Sequence, residues 1–408
     1  MNSHNVRRLL WARGLRAFGD GYVSLLLPAY LLSLGLAPFQ VGIVATGTLL
    51  GSGILTLLVG LNAHRLRYRT LLLVAAALMA ATGLGFAAAT TFWPLLLIAV
   101  VGTLNPSSGD VSVFLPLEHA VLSRVVEDGR RTATFARYSL VGALVGALGS
   151  LAAGLPEVLA AAMQLDVRSA YRLMFLLYGV IGVTSGLVYR KLPPSIAVDA
   201  GVPAAPLRQS KRRVYTLAAL FSVDAFAGGF IVQSLLALWL FRKFQLSVAE
   251  AGMIFFWTSV FSALSYLLAA RIAGRIGLVN TMVFTHLPSS VLLLVVPFVA
   301  SLGWIIALLL ARSALSQMDV PTRSSYVMAV VSPSERAAAA SITSVPRSLA
   351  SSISPLIAGY LLGLSSFGWP LILAGGIKIG YDLLLLATFR TVLPPEEVVS
   401  RGQSRVNR

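Results

Sequence analysis

The feature that most constrains the fold is a series of apolar segments that recurs along the whole chain. A helix needs about 20 mainly apolar residues to cross the hydrocarbon core of a bilayer. Of the 408 residues, 57% are hydrophobic and 12% are charged, whereas soluble domains average about 45–50% apolar and about 25% charged residues. The sequence therefore predicts an all-α membrane protein. We place its transmembrane helices at residues 11–33, 39–61, 70–90, 93–122, 133–154, 171–190, 214–240, 250–270, 280–300, 303–330, 339–363 and 369–390.

These twelve predicted spans fall into two groups of six, separated by a polar stretch that contains four prolines and the run Lys211-Arg212-Arg213. Such a stretch is typical of a linker. We predict four parts: an N-terminal six-helix bundle over 1–190, a cytoplasmic linker over 191–213, a C-terminal six-helix bundle over 214–390 and a cytoplasmic tail over 391–408.

The positions of the basic residues predict the orientation. With both termini in the cytoplasm, the loops on the opposite side carry only Arg168, Arg172, Arg242 and Lys243, as the positive-inside rule requires. We interpret the net charge of +17 as this topology signal, and we expect no nucleic-acid partner. The high Ala, Leu and Arg content is typical of GC-rich bacteria. We therefore expect a multi-pass protein of the bacterial inner membrane.

Several classes of function lack their motifs in this sequence. The chain has no cysteine, and none of its four histidines lies within helical ligand spacing of another, so we expect neither a metal site nor a cofactor. No Ser-His-Asp arrangement, H-E-x-x-H motif or phosphate-binding P-loop is present. The sequence therefore indicates neither an enzyme nor an ATP-driven pump. We also interpret the basic N-terminus and its apolar run as a retained first helix.

The two groups of spans repeat one another at a nearly constant offset. The segment from Leu36 to Gly42 reappears as Leu246 to Gly252, the segment 131–154 reappears as 336–359, and Asp20 is mirrored by Asp224. Duplicated halves of this kind place a substrate site between them, near the middle of the bilayer.

With this repeat the chain resembles the major facilitator superfamily over nearly its whole length. The family motif G-x-L-A-D-R-x-G-R-R/K is similar to residues 60–69, where Gly60, Arg65 and Arg69 keep the pattern and His64 replaces the acid. The resemblance implies two six-helix bundles related by pseudo-twofold symmetry. It also implies that this loop has a gating role, and that helices 1, 4, 7 and 10 line a central cavity.

Charged residues inside the predicted spans are the candidate transport residues. A charge at the bilayer centre costs about 2.5–3.5 kcal/mol on insertion scales, so it usually faces a cavity or a partner. Asp110 follows Asn105-Pro106, which should break the helix, and we interpret it as the best-placed coupling carboxylate. The full set predicted for proton coupling and the substrate cavity is Asp20, Asp110, Asp224, Asp319, Arg312, Arg323 and Arg347.

Some of these charges could instead form structural pairs. Asp20 stands four residues after Arg16, which allows an intrahelical ion pair as an alternative to a cavity role. We interpret Glu118 with Arg137 as a lock between neighbouring helices, and Lys378 with Asp382 as a pair on a peripheral helix. Asp319 with Arg347 suits a structural pair and a gate equally.

These features predict a secondary transporter that moves a small molecule by alternating access. We expect proton-coupled efflux by antiport, because aromatic residues near the acids suit amphipathic or cationic substrates. Proton-coupled symport of an organic anion is the main alternative, and a lipid flippase of the same fold is a further one. We expect the partners to be the substrate, protons and the lipid bilayer, and the protein to be a monomer.

Overall fold

The computed structural model describes residues 3–62, 67–107, 112–126, 128–193, 207–332 and 335–392. Within these ranges the chain is helical and contains no strand. The α-helices are α1 Ser3–Ser33, α2 Pro38–Asn62, α3 Tyr68–Ala88, α4 Phe92–Val101, α5 Phe114–Val125, α6 Asp128–Ala152, α7 Leu155–Met163, α8 Val167–Arg190, α9 Lys211–Gly229, α10 Gln233–Phe244, α11 Val248–Ile276, α12 Leu278–Val295, α13 Leu302–Ser316, α14 Asp319–Ala329, α15 Arg336–Leu364 and α16 Trp369–Phe389.

Each of the twelve predicted spans falls on one or two of these helices. Among the described residues, eight helical segments are long and apolar enough to cross a membrane, and the short helix α4 is also apolar. All-helical structure is what a bilayer demands, because every backbone N–H and C=O in the hydrocarbon core needs a partner within its own segment. The all-α membrane class is therefore confirmed.

Three predicted spans are interrupted. The fourth span divides into α4 and α5, the seventh into α9 and α10, and the tenth into α13 and α14. The sequence predicts the first break, at Asn105-Pro106, because proline cannot donate the next helical hydrogen bond. The break between α13 and α14 is at Gln317-Met318. The tenth span was predicted as one continuous helix, whereas Arg312 and Asp319 lie on the separate helices α13 and α14.

Contacts divide the chain into two compact units, each described here by itself. Unit 1 comprises residues 1–200, 230–260 and 352–368, and unit 2 comprises 201–229, 261–351 and 369–408. In unit 1, α6 and α8 pack along α1, and α3 packs along α8. A Cβ on Gly21 would collide with the Gly146 backbone of α6. Glycine at this position therefore lets the backbones of α1 and α6 approach each other closely.

Unit 1 also contains a contact between α2 and the end of α15. A methyl group on Gly42 would lie 2.6 Å from the carbonyl oxygen of Pro355 and 2.8 Å from the Cα of Gly359. Beside it, the rings of Phe39 and Tyr360 meet edge to face at 6.1 Å. Only glycine permits backbones to approach this closely.

In unit 2, α12 packs against α13, α14 and α16, and α16 packs against α9. The buried apolar core includes Phe221 of α9, Val283 of α12, Tyr326 of α14 and Tyr381 of α16. A Cβ on Gly375 would lie 3.0 Å from the carbonyl oxygen of Ser290. The missing side chain lets α16 approach α12 closely, which brings the polar residues of both helices together.

At one end of unit 2, Glu335 holds the chain that leads into α9. Its carboxylate accepts hydrogen bonds from the backbone N–H groups of Arg208 (2.6 Å), Gln209 (2.9 Å) and Ser210 (3.1 Å). These bonds favour the ionised carboxylate and lower the pKa of Glu335 to about 2. Hydrogen bonds therefore connect the end of the predicted linker to Glu335, the residue that precedes α15.

Candidate functional site

A cluster of buried charged and polar side chains lies inside unit 2, which we call the unit 2 charge cluster. Its members come from four helices and are each less than a tenth exposed. They are Asp224 of α9, His286 of α12, Asp319 and Arg323 of α14, and Lys378 and Asp382 of α16. In a membrane helix such residues usually mark a functional path or a paired network.

Asp224 is the acceptor at the centre of this cluster. One carboxylate oxygen accepts a hydrogen bond from Arg323 Nη2 at 2.9 Å, and the other accepts from Lys378 Nζ at 2.6 Å. His286 Nε2 lies 3.7 Å from the same oxygen that Lys378 contacts. One acid thus links three basic side chains from α12, α14 and α16.

Arg323 connects Asp224 to Asp319. Its Nη2 also donates to Asp319, one helical turn earlier on α14, and its guanidinium lies 5.0 Å above the ring of Phe221. Asp319 is in the first turn of α14, where the helix dipole favours a negative charge. The break between α13 and α14 therefore supplies a helix N-terminus that helps to hold this acid.

His286 connects Lys378 to Asp382. Its Nδ1 lies 2.9 and 3.0 Å from the two carboxylate oxygens of Asp382, and its Nε2 lies 3.4 Å from Lys378 Nζ. A lysine ammonium only donates hydrogen bonds, and a carboxylate only accepts them. These neighbours fit a neutral imidazole with its proton on Nδ1, which donates to Asp382 while Nε2 accepts from Lys378.

Two further arginines of unit 2 have unsatisfied donors. Arg312 of α13 and Arg347 of α15 each have a buried Nε without a hydrogen-bond partner. Neither forms an ion pair with any residue that the structure describes. Arg347 lies close enough to Arg323, Asp224 and Asp319 to interact with their charges. Each of these arginines could therefore accept a negatively charged ligand.

Unit 1 contains a second buried polar network, around Glu118 of α5. Arg16 Nη2 donates to this carboxylate, and so do the hydroxyls of Tyr138 and Tyr189. Arg16 Nε also donates to the Tyr189 hydroxyl at 3.0 Å. The guanidinium lies 4.1 Å from the centre of the Phe114 ring. This carboxylate is completely buried, and each of its partners is a hydrogen-bond donor.

Asp20 lies on α1, one turn after Arg16. It accepts a hydrogen bond from the Tyr178 hydroxyl of α8 at 3.5 Å, and Asn105 is a further hydrogen-bonding neighbour. Its mirror residue Asp224 instead contacts basic residues. The repeated acids therefore occupy different environments: a tyrosine hydroxyl contacts Asp20, whereas Arg323 and Lys378 contact Asp224.

Both predicted structural pairs differ from the observed contacts. Glu118 pairs with Arg16, whereas Arg137 is exposed; the next residue of α6, Tyr138, is the one that reaches the buried carboxylate. Lys378 and Asp382 do not pair with each other, because both point into the cluster and reach Asp224 and His286. The intrahelical pair considered for Asp20 also does not form, and Asp319 pairs with Arg323 and not with Arg347.

Several predicted site residues lie outside the part of the chain that the structure describes. Asp110, His64 and Arg65 are among them. Gly60 belongs to α2, but its surroundings are not described, and Arg69 is half-buried in the first turn of α3. Their predicted coupling and gating roles stay predictions.

His286 was not among the predicted site residues, because the histidines were considered only as metal ligands. The signal was present: Thr285, His286, Ser289 and Ser290 form a polar patch within an apolar span, and an ionisable residue in a span is a functional candidate by default. Among the described residues, no group of three or more His, Cys, Asp or Glu side chains could hold a metal ion.

Residues 9–232 and 217–407 each match the sequence profile of the Major Facilitator Superfamily. The chain belongs to the major facilitator superfamily. The uncharacterized membrane protein YJR124C of Saccharomyces cerevisiae is 24% identical over 418 residues, which cover 94% of this chain and 93% of the yeast protein.

Solved structures of this superfamily share the fold at low sequence identity. A point mutant of the nucleoside transporter NupG superposes with a TM-score of 0.74 at 14% identity, over 94% of this chain and 100% of that one. A bacterial homologue of the human lysosomal transporter Spinster gives 0.70 at 14% identity, over 94% and 95%. The human organic anion transporter MFSD10 gives 0.63 at 17%, over 93% and 99%. The chain is a multi-pass membrane protein, and its family and neighbours indicate a secondary transporter rather than an enzyme.

Proposed function

We propose that this protein is a proton-coupled secondary transporter of a small molecule. The observation that carries the proposal is the unit 2 charge cluster, where six buried polar and charged side chains from four membrane helices depend on one another. Such a network has more than one arrangement of similar energy when a proton is added. Two arrangements of that kind are what alternating access requires of a coupling site.

The driving force for such coupling is sufficient. A proton that moves down a membrane potential of about 100 mV releases about 2.3 kcal/mol, which supports a concentration ratio of roughly fifty-fold because every 1.4 kcal/mol is a factor of ten. Coupling also requires that protons do not cross the protein when no substrate is transported. The burial of the cluster favours this, because a sealed site limits the access of water.

The direction that we propose first is efflux by antiport. Asp20, Asp110 and Asp224 are carboxylates for which a proton and a cationic substrate would compete, and such competition produces exchange. We further propose that the protein works as a monomer in the bacterial inner membrane. The division into two six-helix halves at the linker over 191–213 is part of this proposal.

A specific observation favours a second direction, which is symport of an organic anion. Arg312 and Arg347 have no ion-pair partner among the described residues, and each has an unsatisfied Nε. Both side chains are partly buried. A buried guanidinium N–H without an acceptor is costly, and an anionic substrate would remove that cost. An added proton would then make binding of the anion more favourable, and the two would move together.

Purified protein in proteoliposomes with an imposed pH gradient tests the proposal. We would follow ethidium as the cationic probe and p-aminohippurate as the anionic probe, together with a pH-sensitive dye inside the vesicles. Proton-coupled antiport predicts exchange of ethidium for protons, and symport predicts that p-aminohippurate enters with protons. Probe movement that is independent of the gradient would contradict proton coupling, and protein-free vesicles are the control.

Two variants connect that result to the site. Asp224→Asn removes the acid that links Arg323, Lys378 and His286, and should abolish gradient-driven transport. Arg312→Gln should weaken transport of the anionic probe and leave that of the cationic probe unchanged. If Arg312→Gln lowers both equally, the arginine does not contribute to the choice of substrate charge.

A further inference from the structure

We propose that His286 is the group that binds the transported proton. This inference rests on the proposed function and makes it more specific, since the sequence had pointed to carboxylates. Histidine is the side chain that most readily changes charge between about pH 5 and pH 8. His286 is also the one member of the unit 2 charge cluster that the surrounding contacts hold in a neutral form while both its nitrogens face charged groups.

The contacts of His286 differ at its two nitrogens. Nδ1 is fixed by Asp382, to which it lies 2.9 and 3.0 Å away, whether the ring is neutral or charged. Nε2 faces Lys378 Nζ at 3.4 Å and an oxygen of Asp224 at 3.7 Å. A proton that arrives at Nε2 therefore changes an acceptor into a donor at the point where α9, α12 and α16 meet.

The protonated ring and the lysine would compete for the same oxygen. With Nε2 protonated, the hydrogen bond from Lys378 is lost and the two cations repel each other, while the new N–H is directed at Asp224. We infer that the imidazolium then donates a hydrogen bond to this Asp224 oxygen. Lys378 Nζ, which lies 2.6 Å from the same oxygen in the structure, moves away from it. Protonation would in this way exchange a contact between α9 and α16 for one between α9 and α12.

The other groups around His286 set the charge balance. From α16 come Lys378, Asp382 and the edge of the Tyr381 ring, whose centre lies 6.0 Å from the imidazole. From α14 come Asp319 and Arg323, from α9 comes Asp224, and α15 contributes Arg347, which interacts with the charges of Asp224 and Asp319. Three acids thus stand against three permanent cations, so a proton on His286 gives the cluster a positive excess. Movement of Lys378 away from the cluster or binding of an anion would remove that excess.

Histidine labelled with ¹³C at Cε1 measures the protonation directly in the full-length protein. The triple variant His4→Gln, His64→Gln and His119→Gln leaves His286 as the sole histidine, so its resonance needs no assignment. We expect the signal to move from the neutral to the charged position as the pH is lowered. A signal that stays at one position wherever the protein remains folded would overturn the proposal.

Two more variants separate a proton-binding role from a structural one. In that background, Asp382→Asn removes the negative charge beside Nδ1 and should move the titration of His286 to lower pH. Lys378→Met removes the positive charge beside Nε2 and should move the titration to higher pH. If neither shifts it, His286 does not protonate within this cluster and the proposal fails.

A transport measurement connects the titration to coupling. In proteoliposomes, His286→Gln should lose gradient-driven accumulation of the transported probe, ethidium or p-aminohippurate, but retain exchange of that probe at equal pH. Gradient-driven accumulation that persists in His286→Gln would overturn the role of His286 and leave the proposed function intact. Failure of the unmodified protein to respond to the gradient would instead contradict the proposed function.

Discussion

A carboxylate that is buried among membrane helices needs partners that the hydrocarbon cannot offer, and Glu118 illustrates how this chain supplies them. Arg16 and two tyrosine hydroxyls donate to its two oxygens, and no part of the side chain is exposed. Loss of one partner of a buried pair leaves an uncompensated charge, which costs more than the pair itself contributes. The observed partners therefore predict the effect of mutations.

We expect Arg16→Met to lower the free energy of unfolding by about 3–5 kcal/mol, because Glu118 would be left buried without its counter-charge. Denaturant titration of the detergent-solubilised protein, followed by tryptophan fluorescence, measures the change. Arg137→Met is the matched control, since Arg137 is exposed and should change the free energy by less than about 0.5 kcal/mol. Equal losses in the two variants would contradict the assignment.

Adding Glu118→Gln to Arg16→Met gives a further check. The double variant has no unpaired charge, and the glutamine oxygen can still accept from the two tyrosines. We expect it to recover part of the stability that Arg16→Met loses.

Glu335 gives a pH-dependent prediction at a residue outside the predicted spans. Its pKa in the folded protein is about 2, below the ordinary value of about 4.3 for glutamate. A lowered folded pKa stabilises the protein above the unfolded pKa, and that contribution is lost as the pH falls towards the folded pKa. The advantage of wild type over Glu335→Gln should be constant above about pH 5 and should narrow between about pH 4.3 and pH 2.

Unfolding midpoints of wild type and Glu335→Gln, compared from about pH 6 to about pH 3, measure this change. A gap between the two midpoints that stays constant over the whole range would show that the charge of Glu335 does not hold the start of α9.

At the scale of the helical element, close contacts depend on glycine. Gly359 of α15 faces Gly42 of α2, and a Cβ on Gly359 would lie 2.7 Å from the Cα of Gly42 and 2.8 Å from the carbonyl oxygen of Pro38. These atoms belong to backbone and cannot move away cheaply. A larger side chain here must separate the two helices.

We expect Gly359→Val to weaken this contact by about 1–3 kcal/mol, the usual cost of overpacking. The chain has no cysteine, so the pair Phe39→Cys and Tyr360→Cys gives the only thiols for a short cross-linker. Cross-linking should fall several-fold in the Gly359→Val background. Gly363→Val is the control on the same helix, because a Cβ there meets no atom within 4 Å; an equal fall in both would contradict the prediction.

At the scale of the whole molecule, the distribution of Lys and Arg predicts the orientation in the membrane. We expect a membrane-impermeant maleimide to label Thr91→Cys in intact cells, since Thr91 is exposed before α4 and the predicted topology places it on the side opposite to the termini. Gln209→Cys, in the predicted cytoplasmic linker, should react only after permeabilisation. The reverse pattern would invert the topology, and the cysteine-free wild type is the background control.

Membrane class and helix positions could be predicted from the sequence, because burial in lipid depends on the apolarity of each segment alone. The repeat between segments 131–154 and 336–359, together with the resemblance to the superfamily, added the expectation of two six-helix halves. The break at Asn105-Pro106 was also predictable from proline. The break between α13 and α14 was not, because Gln317-Met318 carries no such signal.

The partners of the buried charges were decided by the tertiary structure. The spacing along one helix predicts pairs such as Lys378 with Asp382. Both side chains can instead contact residues of another helix that packs against the same face. Gly375 lets α16 approach α12, and the two side chains therefore reach His286 and Asp224 instead of each other. The sequence by itself determined which residues would be costly in lipid. Which of them share a proton or a charge depends on distances between helices, and those are set by packing between segments far apart in the chain.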